Sequence, residues 1–405
     1  MSVMADGAAA VPPSAGTASA VALQPWWYEL GKVVPRAVGF TAKATRGRAD
    51  LGIPRLAPNP LAWASIAMDE MAITSAYLMT RRRADALIGD RTAAAETALA
   101  RLDAAGYLED PGLLYPAPAA PDTVRLSRRN RGGIAFEQVS FDSAHAVPAG
   151  LAELTEWQHI SNDRVHAYLL RHEAGGARPW AVVIHGHRMG EARDIRFLGS
   201  RPLHRDLGVN VAHLVLPMHG PRGRVDAHAF PGADPVANLL GVTQSVSDAR
   251  ALIAWIRSET HLPIGVFGIS LGGLVASMTA AFEPDLGCVV AGIPLTNIAM
   301  MLAMTVRSRW GEEALAETHF LDPAPVELSR LASPLSFPAV VPHDRRYIYG
   351  AVGDRLVTAR QAEALWQHWE QPTVKWLHGG HILNNVKASR RFVTRAFAAS
   401  GITGR

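Results

Sequence analysis

The sequence predicts an α/β protein with a mostly parallel central sheet, and two observations support this prediction. From about residue 130 onward, short runs of β-branched and apolar residues alternate with stretches of helical periodicity, as in folds built from strand–helix repeats. Most of these runs are apolar throughout, which is typical of strands that helices cover on both faces. The predicted strands are 134–141, 180–186, 209–217, 263–270, 287–294, 345–354 and 373–380.

The part of the chain before residue 123 differs from the rest in composition. Residues 1–22 are rich in Ala, Gly, Ser and Pro and are predicted to be disordered. Residues 23–110 are predicted to be helical, and their Ala-rich stretch 91–106 ends at a glycine, as helices commonly do. The proline-rich stretch 111–122 is predicted to connect this helical extension to one α/β domain at 123–405, because repeated prolines disfavour helix.

One predicted helix, residues 61–79, is strongly apolar but carries Asp69 and Glu70 at its centre. Two carboxylates at the middle of a bilayer would cost several kcal/mol, so no membrane insertion is predicted. The start of the chain has no basic segment followed by a long apolar core, which argues against a secretory signal. The resulting expectation is a cytoplasmic protein.

Charge and cysteine content exclude further classes. The chain is 48% hydrophobic and has 40 basic residues against 36 acidic ones, a globular composition. No basic stripe is interleaved with aromatic residues, so nucleic acid is not an expected partner. A single cysteine, Cys288, excludes an internal disulfide framework and a cysteine-based zinc site.

The predicted strand 263–270 ends in a turn with a serine at its centre. The sequence G-I-S-L-G at 268–272 matches the nucleophile elbow G-x-S-x-G, in which a strand turns sharply into a helix and exposes the serine hydroxyl. Small residues are needed two positions before and after Ser270 because a Cβ there would collide with backbone. The alternative interpretation is a glycine-rich turn without catalysis.

A serine hydroxyl becomes a good nucleophile only with a general base that a carboxylate orients. Asp354 follows one of the later predicted strands and His381 follows the last one. Asp354 also suits the N-cap of the next helix, while Asp322 and Asp344 lie upstream of the predicted strand and fit less well. His378 is the rival of His381.

Four motifs together resemble the α/β-hydrolase superfamily over residues 130–400. They are HGHRMG at 185–190, GISLGG at 268–273, GDRLV at 353–357 and GGH at 379–381, in the order that this family has them. The resemblance is strongest to the dienelactone-hydrolase, acetyl-esterase and acyl-peptidase branches. It implies an α/β-hydrolase fold preceded by the helical extension.

The resemblance implies a serine hydrolase with Ser270 as nucleophile, His381 as base and Asp354 as acid. Such an enzyme cleaves a carboxylic ester or a related acyl bond of a small molecule through an acyl-enzyme and needs no cofactor. Peptidase, thioesterase and acyltransferase activities are alternatives within the same chemistry. A non-catalytic binding protein that keeps the fold is the alternative from another class.

The family's oxyanion hole implies two backbone donors, the N–H of Leu271 and an N–H from the loop 185–190, either that of His187 or that of Arg188. His185, His219 and His378 are candidate pocket residues, and Arg222 and Arg224 are candidate pocket cations for a polar or anionic acyl group. A zinc site formed by His185, His187 and His219 is the weaker alternative, because the oxyanion loop already accounts for His185 and His187.

The family places caps over the site in the region that corresponds to residues 297–342. A methionine-rich stripe in this insertion fits either an adaptable apolar lid or ordinary core packing. The stripe consists of Met300, Met301, Met304 and Trp310.

The helices at 23–110 have three candidate roles, which are covering the site, forming a homodimer contact and docking another partner.

Overall fold

A computed structural model describes most of the chain. Residues 1–22, predicted to be disordered, lie outside the described residues, as does Arg224. The described residues are 25–46, 52–57, 59–80, 91–148, 150–155, 157, 162–172, 177–223, 230–383 and 385–404.

The described strands form one sheet in the spatial order β1-β2-β3-β5-β4-β6-β7-β8-β9. Pairing is antiparallel from β1 through β3 to β5 and parallel from β5 onward, which confirms the mostly parallel sheet. All seven predicted strands are present, while β1 and β3 add two that the pattern does not predict. The strands are β1 (Arg125–Arg131), β2 (Ile134–Asp142), β3 (Arg164–Leu170), β4 (Trp180–Ile184), β5 (Asn210–Val215), β6 (Ile264–Ile269), β7 (Cys288–Gly292), β8 (Arg346–Ala351) and β9 (Thr373–Leu377).

Helices cover both faces of this sheet. Along β4, Val182 and Ile184 belong to one buried apolar cluster, and Ala181 and Val183 belong to another, because successive side chains of a strand point to opposite faces. The helices are α1 (Trp26–Gly31), α2 (Val33–Arg46), α3 (Pro60–Thr80), α4 (Thr92–Ala104), α5 (Ser200–Asp206), α6 (Pro235–Glu259), α7 (Leu271–Phe282), α8 (Ile298–Ala316), α9 (Pro323–Leu331), α10 (Ala359–His368) and α11 (Val386–Ala399).

The N-terminal helices pack against the sheet rather than apart from it. Ala37 of α2 and Ala62 and Ile66 of α3 form a buried cluster with Val352, which directly follows β8. This packing brings α3 to the carboxyl edge of the parallel strands, where ligands bind in open α/β sheets. None of the described helices combines the length and the hydrophobicity that a bilayer span requires.

The segment between β7 and β8 contains α8 and α9. Gly311 interrupts α8 with a non-helical backbone (φ 90°, ψ −173°), a conformation that glycine tolerates best. Met300 and Met304 are 43% and 37% exposed, so this part of the methionine stripe is not core. That this segment caps the site, and that residue 123 is a domain boundary, stay predictions.

Candidate active site

Ser270 occupies the turn between β6 and α7 in a strained backbone conformation, with φ 58° and ψ −117°. A positive φ at a residue with a Cβ is uncommon and concentrates at functional sites. The flanking glycines explain how the turn fits. A Cβ on Gly268 would overlap the carbonyl of Gly272, and one on Gly272 would overlap the carbonyl of Ile184 on β4.

The loops that follow β8 and β9 bring a carboxylate and an imidazole to this serine. His381 Nε2 lies 3.0 Å from Ser270 Oγ, and His381 Nδ1 lies 2.6 Å from Asp354 Oδ2. The other oxygen of Asp354 accepts the N–H groups of Leu356 at 2.9 Å and Val357 at 2.8 Å. Both carboxylate oxygens are therefore committed, and the side chain is 2% exposed.

The surroundings of His381 favour its charged form. Burial by itself lowers the pKa of this imidazole, but the charge and the hydrogen bond of Asp354 outweigh burial. Asp69 contributes in the same direction, so the pKa of His381 is raised above its ordinary value. A base that is stabilised once protonated suits a residue that takes a proton from an alcohol.

The oxyanion donors predicted from the sequence are the backbone N–H groups of Leu271 and His187. In the described part of the chain, neither the N–H of Leu271 nor that of His187 donates a hydrogen bond. A Cβ placed on Gly186 would lie 3.4 Å from the Ser270 Cβ, so the loop after β4 approaches the serine closely. The His187 ring is turned aside, with Nδ1 bonded to the Phe230 carbonyl at 3.0 Å.

His185, in the loop after β4, and His219, in the loop after β5, are both buried and hydrogen-bonded. His185 Nε2 accepts the Leu216 N–H at 3.1 Å, and His185 Nδ1 lies 2.8 Å from the Gly186 carbonyl. His219 Nδ1 lies 2.8 Å from the carbonyl of Pro217. Burial lowers the pKa of His185 to about 4 and that of His219 well below its ordinary value, so both are neutral at pH 7.

Two further candidate pocket residues, His378 and Arg222, are bonded to other parts of the chain. His378 is exposed, and its Nδ1 accepts the N–H of Ala57 at 3.1 Å, so it contacts the N-terminal extension. Arg222 is buried and paired with Asp248 at 2.8 Å, and it also donates to the carbonyl of Asn162 at 2.6 Å. Arg222 therefore faces a buried carboxylate, while its Nε has no partner among the described residues. Its interpretation as a pocket cation stays a prediction.

The sequence predicts no functional role for Asp69, but this residue lies in the site. Its Oδ2 accepts the N–H of His381 at 2.6 Å and that of Arg355 at 3.1 Å, and its Oδ1 accepts the N–H of Ile382 at 3.0 Å. One turn earlier, Ser65 Oγ accepts the N–H of Gly380 at 2.7 Å. The signal was present in the sequence, since a carboxylate in an apolar helix needs buried partners.

The next residue, Glu70, ties α3 to two other parts of the molecule. Its carboxylate bonds to Arg355 Nε at 2.6 Å and to Arg309 Nη2 of α8 at 3.0 Å. Glu70 is 1% exposed, so both bonds lie away from solvent. The helical extension, the loop after β8 and the β7–β8 segment are therefore joined at one carboxylate.

Comparison with known proteins gives two relatives at the sequence level. No family model matches the chain. Among the described residues, no cluster of His, Cys, Asp and Glu side chains could hold a metal ion. The uncharacterized protein MT2702 of Mycobacterium tuberculosis strain CDC 1551 is 36% identical over 304 residues, which cover 73% of this chain and 72% of that one. Rv2627c of strain H37Rv, also uncharacterized, is 35% identical over 303 residues, with the same shares covered.

Solved structures share the fold at much lower identity. An acetyl xylan esterase from a Paenibacillus species has a TM-score of 0.50 at 13% identity, covering 72% of this chain and 93% of that one. Acetyl xylan esterase 1 from a Thermoanaerobacterium species has a TM-score of 0.51 at 14% identity, covering 72% and 94%. The chain thus belongs to the family of the two mycobacterial proteins and has the α/β-hydrolase fold of these esterases.

Proposed function

We propose that the protein is a serine hydrolase that cleaves carboxylic esters through an acyl-enzyme. The observation that supports the proposal is the continuous hydrogen-bonded line from Ser270 through His381 to Asp354, with distances of 3.0 and 2.6 Å. It starts at a serine whose backbone is held at a positive φ. A turn that served only to connect β6 to α7 would need neither this strain nor an imidazole aligned with the hydroxyl.

In the proposed reaction, Ser270 Oγ attacks the ester carbonyl carbon while His381 Nε2 takes the hydroxyl proton. The tetrahedral intermediate then breaks the bond to the alcohol, which leaves with the proton from Nε2. Water attacks the resulting acyl-enzyme, His381 takes one of its protons, and the acid leaves as Ser270 recovers its proton. Asp354 stays ionised throughout and stabilises the imidazolium.

The negative charge of each tetrahedral intermediate would rest on the N–H groups of Leu271 and His187. Leu271 is the first residue of α7, and His187 lies three positions after the end of β4. Donors that are already oriented need no reorganisation as charge develops. Losing one such donor typically costs on the order of 3 kcal/mol of barrier.

A fluorophosphonate probe tests the nucleophile, because it phosphonylates an activated serine. We expect the wild-type protein to be labelled, and Ser270→Ala and His381→Ala to lose labelling. His378→Ala is the matched control, since it removes an imidazole three residues away that contacts Ala57 instead; it should keep labelling. An unlabelled wild-type protein would refute the proposed function in favour of a binding protein with this fold.

The bond that is cleaved is tested with paired substrates. Matched p-nitrophenyl esters and p-nitroanilides of the same acyl groups, from acetyl to long chains, separate ester from amide cleavage. Turnover of the esters with no turnover of the anilides supports the proposal. Turnover of the anilides at a comparable rate would place the protein among peptidases instead.

A further inference from the structure

Helix α3 of the N-terminal extension packs closely against two glycines, one in the loop after β8 and one in the loop after β9. A Cβ on Gly380 would lie 2.5 Å from Asp69 Oδ2 and 2.8 Å from the Ser65 carbonyl. A Cβ on Gly353 would lie 2.9 Å from Ile66 Cγ1. A side chain at Gly380 would push the helix away, and one at Gly353 would collide with both the Gly379 carbonyl at 2.8 Å and Ile66 of the helix. These glycines precede His381 and Asp354 directly, so the two loops are shaped to receive α3.

The Asp69 carboxylate spans both loops. Two of its three backbone donors, His381 and Ile382, follow β9, and the third, Arg355, follows β8. The Asp69 side chain is fully buried, so water does not compete for these bonds. One rigid group therefore fixes the placement of the imidazole loop relative to the loop that carries Asp354.

We propose that Asp69 is a positioning residue of the active site, which holds the loop of His381 against that of Asp354 and stabilises the protonated imidazole by its charge. The inference rests on the proposed function and assigns a role to the N-terminal extension. The hydrolase site is then built from two separate parts of the chain, because the sheet supplies the reacting groups and α3 sets their spacing.

Electrostatics agrees with this role. Burial and the charge of Asp354 together raise the pKa of Asp69 to about 6, against the opposing effects of the N–H groups of His381 and Ile382 and of the His381 charge. Above about pH 6 the carboxylate is ionised and favours the imidazolium, while below it this support is lost. The titratable and charged groups around Asp69 are Asp354, Arg355, His381, Glu70 and Arg309.

The test compares Asp69→Asn with two matched variants in the full chain. Ser65→Ala removes a bond to the same loop from the same helix without a change of charge. Glu70→Gln removes a neighbouring charge that bonds to Arg355 and Arg309 but not to the imidazole loop. The readouts are the pKa of His381, followed by NMR of its imidazole and assigned with His381→Gln, and the fluorophosphonate labelling rate as a function of pH.

For Asp69→Asn we expect the His381 pKa to fall by about one half to one unit and labelling at pH 8 to slow about 10- to 100-fold. The acid limb of the labelling profile should move to lower pH. In Ser65→Ala and Glu70→Gln the His381 pKa should stay at its wild-type value. A structural role alone would slow labelling without moving the limb.

An unchanged His381 pKa in Asp69→Asn would overturn the inference, whether or not labelling slows. Should that variant fail to fold, Asp69→Ser, which keeps an oxygen acceptor without the charge, gives the same readouts. The NMR titration needs no catalysis, so a wild-type protein that resists the probe would refute the proposed function while the titration still decides the role of Asp69.

Discussion

Two helices of this molecule each bury a carboxylate completely, and the two carboxylates have opposite surroundings. Asp248 on α6 faces a cation and a hydroxyl, Arg222 Nη1 at 2.8 Å and Ser143 Oγ at 2.5 Å. Among the described residues, Asp69 on α3 accepts hydrogen bonds only from backbone N–H groups, and it lies near a second carboxylate, that of Asp354. Burial raises the pKa of both, but Arg222 opposes the rise at Asp248 whereas Asp354 adds to it at Asp69.

The difference separates a carboxylate paired with a cation from one that we propose to act in the active site. A guanidinium favours the ionised form of a buried carboxylate and so opposes the effect of burial. A buried carboxylate held by dipoles next to a like charge can change its state near neutral pH, and such groups concentrate at active sites. Four substitutions or titrations test this contrast.

The largest effect is expected at the structural pair. Arg222→Met removes the cation and leaves the charge of Asp248 buried without compensation, so the free energy of unfolding should fall by about 3–5 kcal/mol. Urea denaturation measures the change. The double variant Arg222→Met/Asp248→Asn removes both charges and should recover part of it. A loss below 1 kcal/mol in the single variant would show that this charge is solvated after all.

The next effect is the pH dependence of stability at Asp69. Its pKa is about 6 in the folded protein against 3.8 for the ordinary side chain, so the folded state binds more protons between these values. Asp69 therefore contributes stability that is present below about pH 4 and is lost as pH rises through 6, about 3 kcal/mol in all.

Denaturation of wild type and Asp69→Asn at pH 4, 5, 6 and 7 isolates this contribution. The free energy of unfolding of the variant minus that of wild type should increase by about 3 kcal/mol over this range. A difference that is independent of pH would contradict a raised pKa at Asp69 and would make this carboxylate resemble Asp248.

A third experiment changes the approach of α3. Gly380→Ala places a methyl group against Asp69 and Ser65, and we expect a loss of about 1–3 kcal/mol in stability and roughly 100-fold slower labelling because His381 moves. Gly39→Ala in α2 is the control, since a Cβ there meets nothing within 4 Å and alanine favours helix. If the two variants had the same stability and labelling rate, the approach of α3 would not set the position of the loop that carries His381.

The smallest effect is expected from the hydroxyl partner of Asp248. Ser143→Ala removes one bond to the carboxylate but leaves the Arg222 pair, so stability should fall by about 1–2 kcal/mol. Urea denaturation of Ser143→Ala beside wild type measures this loss, and the His381 titration should not move. A shift of that titration would mean that the carboxylates of Asp248 and Asp69 are coupled, which would contradict the contrast between them.

The sequence was sufficient for the features that depend on local chemistry. The glycines around Ser270 follow from the steric demands of one turn, and the apolar runs from the burial of parallel strands. It was not sufficient for contacts between distant segments. The bonds of Asp69 join residues 286 to 313 positions apart, and no periodicity or motif encodes such a pairing.

The candidate pocket residues illustrate the same limit. His378 and His381 both follow β9 closely, yet the loop carries one ring to Ala57 and the other to Ser270. Arg222 lies in a loop next to His219, but its guanidinium pairs with Asp248 on a later helix. The strand β3 was missed because its polar residues, such as Arg164 and His166, interrupt the apolar run.

The long separation between Asp69 and His381, 312 residues, also bears on biosynthesis. Helix α3 is therefore translated long before the glycine-lined loop that receives it. A nascent chain carries Ser270 before it carries His381. If the proposed function holds, reactivity toward acyl compounds should appear only once the segment with His381 has been translated and has folded.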